Sequence, residues 1–377
     1  MADRDLLTLP LSVLRERTSA KWRQYDPDVL PLWVAEMDVM PAPSVVEALE
    51  QAAATGDYGY PSGRPYEEAV ARWYADLGTS LEDCPTALVA DVMTGVAHSL
   101  RAATGPEGAV VITTPVYPPF HSVVGETGRR LVEAPLSPAG RLDLDSLREA
   151  FVEAGRGSAL LLANPHNPTG VAHTAAELRD VLLLAEEHGV RVVSDEIHAP
   201  LVLPGASFTS VLGVEGSSRA VVVTSAAKGW NLAGFKAAVV VGGPEAKDVL
   251  AGFPPSAPYG ASHVAVQAHV AALEGGQDWL RALVRDLDAN RTLLGDLLAE
   301  HLPAVRWRPM EATYLAWLDC SDLGLGREAA RHFLDEARVA LMAGTPFASG
   351  MGDHVRLNVA TSPEILTEAV ERMAASL

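Results

Sequence analysis

The sequence predicts an α/β fold organised around a mainly parallel β-sheet. Between about residues 85 and 245, short apolar runs rich in β-branched residues alternate with amphipathic stretches. The runs are Ala87 to Met93, Ala109 to Thr113, Ala159 to Ala163, Val190 to Ser194, Ala220 to Thr224 and Ala237 to Val241. Near-continuous apolar strands that alternate with helices are typical of a parallel sheet covered by helices on both faces.

Helix signals separate these runs, and the pattern changes further along the chain. Thr174-Ala-Ala-Glu177 is a capping box that opens a helix, and Gly189 stands where that helix should end. Beyond about residue 276 strands and helices no longer alternate one for one, which predicts a separate α+β domain. Its predicted elements are a long helix from Asp278 to His301, strands near Val305 to Arg308 and Thr313 to Asp319, and helices near Arg327 to Arg338 and Pro363 to Ala375.

Size and charge favour a protein that binds a small molecule. A chain of 377 residues exceeds the size at which one hydrophobic core usually stops growing, so a large domain and a smaller one are expected. Acidic side chains outnumber basic ones by 48 to 29, and the net charge of -19 repels nucleic-acid phosphates and anionic membranes. We therefore expect neither nucleic acid nor membrane as a partner.

Cysteine use and the first residues indicate a cytoplasmic protein. The two cysteines, Cys84 and Cys320, form no CxxC pair, so we expect neither a disulfide framework nor a metal site. Met1 to Leu14 lacks the continuous apolar stretch of a signal peptide. No stretch reaches the roughly 18 uncharged apolar residues that cross a membrane.

Polar side chains follow three of the predicted strands. These segments are Asn164-Pro-His-Asn-Pro-Thr-Gly170, Asp195-Glu-Ile-His198 and Ser225-Ala-Ala-Lys228. Ligands of open α/β sheets bind beyond the carboxyl ends of the strands, so an amide, a carboxylate and an amine are predicted to face one crevice. Taken singly, Lys228 would be a solvated lysine, Asp195 a turn cap and Asn167 a residue that shapes a loop.

Three segments resemble the signatures of fold-type I pyridoxal phosphate (PLP) enzymes, the class I/II aminotransferase family. They are Asn164-Pro-His-Asn-Pro-Thr-Gly170, Ser194-Asp-Glu-Ile-His198 and Thr224-Ser-Ala-Ala-Lys-Gly-Trp-Asn-Leu-Ala-Gly234. A closer resemblance is to the MalY/PatB branch, which contains cystathionine β-lyases. It rests on Trp33-Val-Ala-Glu-Met-Asp38, Tyr58-Gly-Tyr60, the histidine after Asp-Glu-Ile, and Ala312-Thr-Tyr-Leu-Ala-Trp-Leu-Asp319.

The resemblance implies a PLP-transferase-like large domain with a mainly parallel seven-stranded sheet between helices, and a smaller α+β domain. The implied boundaries are an N-terminal arm with part of the small domain at 1–44, the large PLP-binding domain at 45–278, and the small C-terminal domain at 279–377.

The resemblance also implies roles for the residues around the cofactor ring. Lys228 would link to the PLP aldehyde and then remove the α-proton of an amino acid substrate, and Asp195 would pair with the ring nitrogen. Asn167 would hydrogen-bond the ring hydroxyl, and Tyr117 would stack on the ring. His198 stands where aminotransferases commonly carry a tyrosine, and an ordinary packed histidine is the alternative.

For the cofactor phosphate, the resemblance and the helix that follows the first predicted strand point to a set of backbone and side-chain donors. Gly95 would let the backbone approach closely, and Val96 and Ala97 would donate amides at a helix N-terminus. Ser225 matches a phosphate-binding serine. Lys236 stands where many relatives carry arginine, so it keeps the charge and loses the forked geometry.

Substrate binding and assembly complete the implied site. Arg356 matches the arginine that binds the substrate α-carboxylate as a bidentate pair, with backbone at Trp33 and Ala35 nearby. Tyr60 resembles a tyrosine that reaches the active site from the neighbouring subunit, which implies a homodimer with a shared site.

The predicted activity is a PLP-dependent carbon–sulfur β-lyase that cleaves cystathionine or S-substituted cysteines to a thiol, pyruvate and ammonia. An aminotransferase is the alternative, because both reactions begin with loss of the α-proton. A regulatory binding protein is a hypothesis of another class, since members of the branch bind a transcription regulator. A NAD-dependent dehydrogenase is disfavoured because no GxGxxG follows an early strand.

Overall fold

A computed structural model of the protein describes residues 6–377, apart from the side chain of Arg327. The first five residues of the segment in which no signal peptide is expected lie outside the described residues. The strands are β1 Leu30–Pro31, β2 Thr86–Val89, β3 Ala109–Thr114, β4 Arg130–Pro135, β5 Ala159–Ala163, β6 Arg191–Asp195, β7 Val221–Thr224, β8 Ala238–Gly242, β9 Arg306–Trp307, β10 Leu315–Asp319, β11 Val339–Ala340, β12 Met342–Ala343 and β13 His354–Asn358.

The α-helices lie between and after these strands. They are α1 Leu11–Leu14, α2 Ala20–Arg23, α3 Pro43–Thr55, α4 Pro65–Asp76, α5 Val92–Ala103, α6 Pro119–Glu126, α7 Leu144–Ala154, α8 Ala175–His188, α9 Lys247–Ala251, α10 His263–Gly275, α11 Gln277–His301, α12 Ala329–Asp335 and α13 Pro363–Ala375. The predicted capping box and the stop at Gly189 are confirmed at the two ends of α8.

A seven-stranded sheet forms the centre of the fold, in the order β2-β8-β7-β6-β5-β3-β4. Its strands are parallel except β8, which runs antiparallel to both neighbours. Every residue of β3, β5, β6, β7 and β8 is buried, which explains their continuous apolar sequences. The predicted fold class is confirmed.

Two details of this sheet differ from the sequence prediction. β4 was not predicted, because exposed and buried residues alternate along this edge strand and leave no continuous apolar run. β2 ends at Val89 rather than Met93, because Asp91 caps a helix that begins at Val92.

A second, four-stranded antiparallel sheet has the order β12-β13-β10-β9. The short strand β1 pairs in parallel with β11, so the beginning of the chain packs with its C-terminal part. The division at residues 44/45 and 278/279 stays a prediction. Among residues 6–377, no helix is both long enough and apolar enough to span a bilayer.

The parallel register brings the polar segments together. Ala163 on β5 is level with Asp195 on β6, and the amide of Asn164 donates to the carbonyl of Asp195 at 2.9 Å. β6 and β7 are also parallel neighbours. The segments that follow β5, β6 and β7 therefore leave the sheet at the same edge.

Candidate active site

A pocket with an empty volume of about 860 Å³, including its mouth, lies at this edge of the sheet. The residues predicted from sequence that line it are Ala35, Tyr117, Asn167, Asp195, His198, Ser225, Lys228 and Lys236. The structure thus brings most of the predicted site together.

Lys228 follows β7 and is buried in this pocket. Its Nζ donates a hydrogen bond of 2.7 Å to the carbonyl oxygen of Ala35. Burial, reinforced by the positive charge of Arg356, lowers the pKa of Lys228 to about 8. The amine therefore loses its charge at a lower pH than an ordinary lysine, which favours its use as a nucleophile or a base.

Asp195 is the last residue of β6, and one of its carboxylate oxygens accepts a hydrogen bond of 3.0 Å from the Ile197 amide. Burial raises its pKa to about 7. The Ile197 amide and the charge of Lys228 offset part of this burial cost, and a protonated ring nitrogen in the pocket would stabilise the carboxylate further. Asp195 therefore fits a pyridine-containing cofactor.

Arg356, on β13, is buried and donates to two uncharged groups. Its Nη1 lies 3.0 Å from the amide oxygen of Asn167, and its Nη2 lies 3.2 Å from the Trp33 carbonyl oxygen. Among the described residues, no carboxylate pairs with this guanidinium, and burial lowers its pKa to about 10. An uncompensated buried cation beside the pocket is suited to an anionic ligand.

The hydrogen bond from Arg356 also defines the role available to Asn167. Because the amide oxygen accepts from Arg356, the amide NH₂ is the group left to donate to a ligand in the pocket. An oxygen substituent on a bound ring is such an acceptor. Asn167 therefore fits its predicted role beside the ring hydroxyl.

His198 and Tyr117 are the ring side chains in the pocket wall. Burial lowers the pKa of His198 to about 3, so its imidazole is neutral, and its buried Nδ1 has no protein partner among residues 6–377. That nitrogen is available to a ligand. Tyr117 packs edge-on against Phe120, and burial raises the pKa of its phenol.

The prediction for the phosphate-binding amides is wrong by one helical turn. α5 begins at Val92, and the amide of Gly95 already donates to the Asp91 carbonyl at 2.9 Å, so Gly95, Val96 and Ala97 lie inside the helix. Gly95 is needed for packing instead, since a Cβ there would lie 2.8 Å from a methyl group of Val223.

The free amides belong to the first turn of the helix. Val92 and Met93 line the pocket, and residues at these positions have no carbonyl partner within a helix. The sequence signal that identifies them is Asp91, a good N-cap residue directly before the apolar stretch.

Ser225 lines the pocket, but its hydroxyl is occupied by the protein. It donates to the Ala237 carbonyl at 2.8 Å and accepts from the Ala227 amide at 3.2 Å. Lys236 is 60% exposed, and its Nζ lies 3.5 Å from a carboxylate oxygen of Asp91. Of these two side chains, Lys236 is therefore the one that is accessible to a phosphate.

A buried pair that sequence reasoning missed supports the segment that carries Lys228. The Tyr66 hydroxyl lies 2.7 Å from Nδ1 of His269, whose Nε2 lies 3.0 Å from the Phe235 carbonyl oxygen. Since a carbonyl only accepts, Nε2 carries the proton and Nδ1 accepts from Tyr66. The phenolic oxygen in turn accepts from the Ala226 amide at 3.0 Å.

Residues 32–39, which we call the N-terminal segment, cover the pocket beside Lys228 and Arg356. Side chains from distant parts of the chain bind its backbone. Asn358 donates to the carbonyls of Val34 and Glu36, and Asn231 bonds both the amide and the carbonyl of Met37. The carbonyl oxygens of Trp33 and Ala35 accept hydrogen bonds from Arg356 and Lys228, respectively. The contribution of these two residues to substrate binding stays a prediction.

A buried ion pair fixes the same segment. Lys21 and Asp38 are both buried, with Nζ 2.8 Å from the Asp38 carboxylate, and Lys21 also donates to the Glu36 carbonyl at 3.1 Å. No motif in the sequence pairs these two residues.

Tyr60 does not line the pocket of its own chain. Its side chain is 78% exposed and packs edge-on against Tyr259, which is 63% exposed. An exposed aromatic pair of this kind is typical of a surface that another protein covers. The prediction that Tyr60 serves a neighbouring subunit stays a prediction.

Comparison with known proteins gives the family of this α/β protein. The model of the family "Aminotransferase class I and II" matches residues 27–373. The chain belongs to that family.

Two relatives and one solved structure cover essentially the whole chain. A Mycobacterium leprae protein named "Putative cystathionine beta-lyase" is 48% identical over 402 residues, which cover 100% of this chain and 99% of that protein. The cystathionine beta-lyase of Corynebacterium glutamicum is 31% identical, over 97% of this chain and 99% of its own. A crystal structure from Corynebacterium diphtheriae, described as a "putative plp-dependent beta-cystathionase", has a TM-score of 0.92 and 32% identity, with 99% of both chains covered.

Proposed function

We propose that this protein is a PLP-dependent carbon–sulfur β-lyase that cleaves cystathionine or S-substituted cysteines to a thiol, pyruvate and ammonia. The observation that carries the proposal is the buried, carboxylate-free Arg356, held beside a pocket that contains Lys228 and Asp195. The pocket thus combines a site for an α-carboxylate at Arg356, an amine of lowered pKa at Lys228 and a carboxylate for a cationic ring at Asp195. The names of the relatives support sulfur as the leaving atom.

PLP, when bound, supplies an aldehyde for linkage to amines and an electron-withdrawing ring that stabilises negative charge at the substrate α-carbon. Asp195 would hold positive charge at the ring nitrogen, and Asn167 would donate to the ring oxygen. Both side chains are fixed by protein hydrogen bonds before any ligand binds. The ring end of the site is therefore preorganised.

Arg356 and Lys228 act on the substrate. Arg356 binds the α-carboxylate, which orients the amino acid so that its α-proton faces the Lys228 amine. Lys228 Nζ takes that proton, and its hydrogen bond to the Ala35 carbonyl keeps the amine directed at the pocket. The Cβ–S bond then breaks, the sulfur leaves with the electron pair and takes up a proton, and water converts the remaining enamine to pyruvate and ammonia.

The test is a product assay on the purified protein supplied with PLP and L-cystathionine. We expect pyruvate, ammonia and homocysteine in equal amounts. Lys228→Ala should abolish all three, whereas Lys247→Ala, at an exposed lysine on α9, should leave them unchanged. Transfer of the amino group to an added oxo acid without thiol release would contradict the lyase and establish an aminotransferase, which the family also contains.

Arg356→Lys tests the carrying observation directly. A lysine keeps the charge and loses the bidentate fork, so kcat/KM should fall about 10- to 100-fold, mainly through KM. The measurement is initial rate against cystathionine concentration. An unchanged KM would show that another group binds the α-carboxylate.

We also propose a homodimer in which Tyr60 reaches the partner's active site. The exposed pair of Tyr60 and Tyr259 supports it. Sedimentation measures the assembly. Complementation between Tyr60→Ala and Lys228→Ala chains tests the shared site, because mixed dimers would regain one intact site and a measurable rate.

A further inference from the structure

The phosphate end of the pocket contains a carboxylate. Asp91 lines the pocket as the N-cap of α5, and one of its oxygens accepts from the Thr94 amide at 2.8 Å. Burial alone would raise the pKa of Asp91, but the bonds from Thr94 and the nearby charge of Lys236 hold it below its usual value. Asp91 is therefore an anion at the helix end where a ligand phosphate would accept from the free amides.

The same carboxylate engages the nearest cation. Lys236 Nζ lies 3.5 Å from Asp91 Oδ2, and among the residues that line the pocket only Lys228 carries another positive charge. Lys228 binds the Ala35 carbonyl and belongs to the reacting end. The fixed charges of Asp91 and Lys236 cancel, so the helix amides contribute most of the remaining attraction for a phosphate.

We propose that Asp91 weakens phosphate binding, because its carboxylate competes with the cofactor phosphate for Lys236 and for the N-terminus of α5. This inference rests on the proposed PLP-dependent function. A phosphate monoester carries nearly two negative charges at neutral pH, so it must displace Lys236 from Asp91 and then remain beside a like charge. Consequently, bound PLP should exchange with free PLP, and inorganic phosphate should compete with PLP for the N-terminus of α5.

Asp91→Asn isolates the charge. Asparagine is as good an N-cap as aspartate, so α5 keeps its first turn while Lys236 loses its carboxylate partner. We expect the dissociation constant of PLP, measured by titrating the cofactor-free protein and following the cofactor's visible absorbance, to fall about tenfold. Asp145→Asn, in the first turn of α7 with a side chain 90% exposed, removes an equal charge and should change nothing.

Two further ligands separate the phosphate from the rest of the cofactor. Pyridoxal, which lacks the phosphate, should bind the Asp91→Asn variant and the unmodified protein equally. Inorganic phosphate alone, titrated by calorimetry into the cofactor-free protein, should bind the variant more tightly. Equal gains for pyridoxal and PLP would overturn the proposal, because the effect would then lie at the ring.

A double-mutant cycle tests the role of Lys236. Lys236→Met should weaken PLP binding in both backgrounds, and Asp91→Asn should gain less affinity when Lys236 is already absent, since part of its effect is the release of that lysine. If the unmodified protein binds PLP and the Asp91→Asn variant binds it equally well or more weakly, this inference alone is contradicted. Absence of PLP binding in the unmodified protein would contradict the proposed function as well.

Discussion

The two sides of the active site are built in different ways. The strand-end wall consists of Asn167, Asp195 and Lys228, which follow adjacent parallel strands. The opposite side is the N-terminal segment, residues 32–39, together with Arg356 on β13 of the second sheet. Side chains provide the chemistry of the first wall, whereas the N-terminal segment contributes mainly carbonyl oxygens.

This difference determines what holds each side in place. The strand-end wall is fixed by sheet register, because each residue is within a few positions of a fully buried strand. The N-terminal segment contains no strand, since β1 ends at Pro31. It is held by backbone hydrogen bonds at Leu32 and Asp38 and by the side chains of Lys21, Asn231 and Asn358. We therefore expect substitutions in the first wall to reduce chemistry, and substitutions around the second to reduce stability and substrate positioning.

Asp195→Asn should have the largest effect. Asparagine keeps the shape of the side chain but removes the charge that holds a proton on the cofactor ring, so kcat should fall about 10³-fold. The unfolding midpoint of the cofactor-free protein should not decrease, because a buried carboxyl with a pKa raised to about 7 does not stabilise the fold as an anion. A kcat within a few-fold of the original would contradict the role of Asp195.

Lys21→Met should lower stability strongly while leaving the strand-end wall intact. The variant buries Asp38 without its partner, which costs about 3–5 kcal/mol. Urea unfolding measures the loss, and Lys21→Met combined with Asp38→Asn should recover part of it. A KM that rises more than kcat falls would show that the N-terminal segment positions the substrate. No change in either stability or KM would show that the two sides are held alike.

Glu196→Gln should reveal how much free energy of folding is lost by burying an ionised carboxyl group next to the strand-end wall. Glu196 is fully buried and accepts from Tyr74 at 2.9 Å, and burial raises its pKa from 4.5 to about 7. The folded protein binds this proton more tightly than the unfolded chain, so Glu196 loses stabilising free energy as pH rises from 4.5 to about 7.

The variant lacks that titration, so its stability relative to the unmodified protein should increase with pH by up to about 3 kcal/mol. The increase should end above about pH 7. Urea unfolding of both cofactor-free proteins across this range measures the difference, in which the titration of Asp195 cancels. A difference that is constant with pH would show that Glu196 is ionised throughout.

Tyr66→Phe should have the smallest effect. It removes the acceptor of the Ala226 amide and the donor to His269, two bonds that support the segment before Lys228, and should cost about 1–3 kcal/mol of stability. Because Lys228 is held by Ala35 on the other side, kcat should fall less than in Asp195→Asn. Tyr58→Phe, at an exposed tyrosine, serves as the matched control. A loss of kcat as large as that of Asp195→Asn would mean that this pair directly sets the position of Lys228.

The sequence by itself determined the fold class and the strand-end wall. Apolar periodicity identifies buried parallel strands, and a residue that directly follows such a strand is placed by local connectivity, so Asn167, Asp195 and Lys228 could be located without a structure. The motifs around them also indicated the family resemblance, and the role of Arg356 was inferred from that resemblance. The edge strand β4 was not predicted from apolar runs, because exposed and buried residues alternate along it.

Only the tertiary structure decided the rest of the site. Tyr66 and His269 are 203 residues apart, and Lys228 meets the carbonyl of Ala35 across 193 residues. Backbone carbonyls have no residue-specific signature, so no pattern marks which of them will accept from a catalytic amine. The need for glycine at position 95 is likewise tertiary, because a Cβ there would lie 2.8 Å from a methyl group of Val223 on β7.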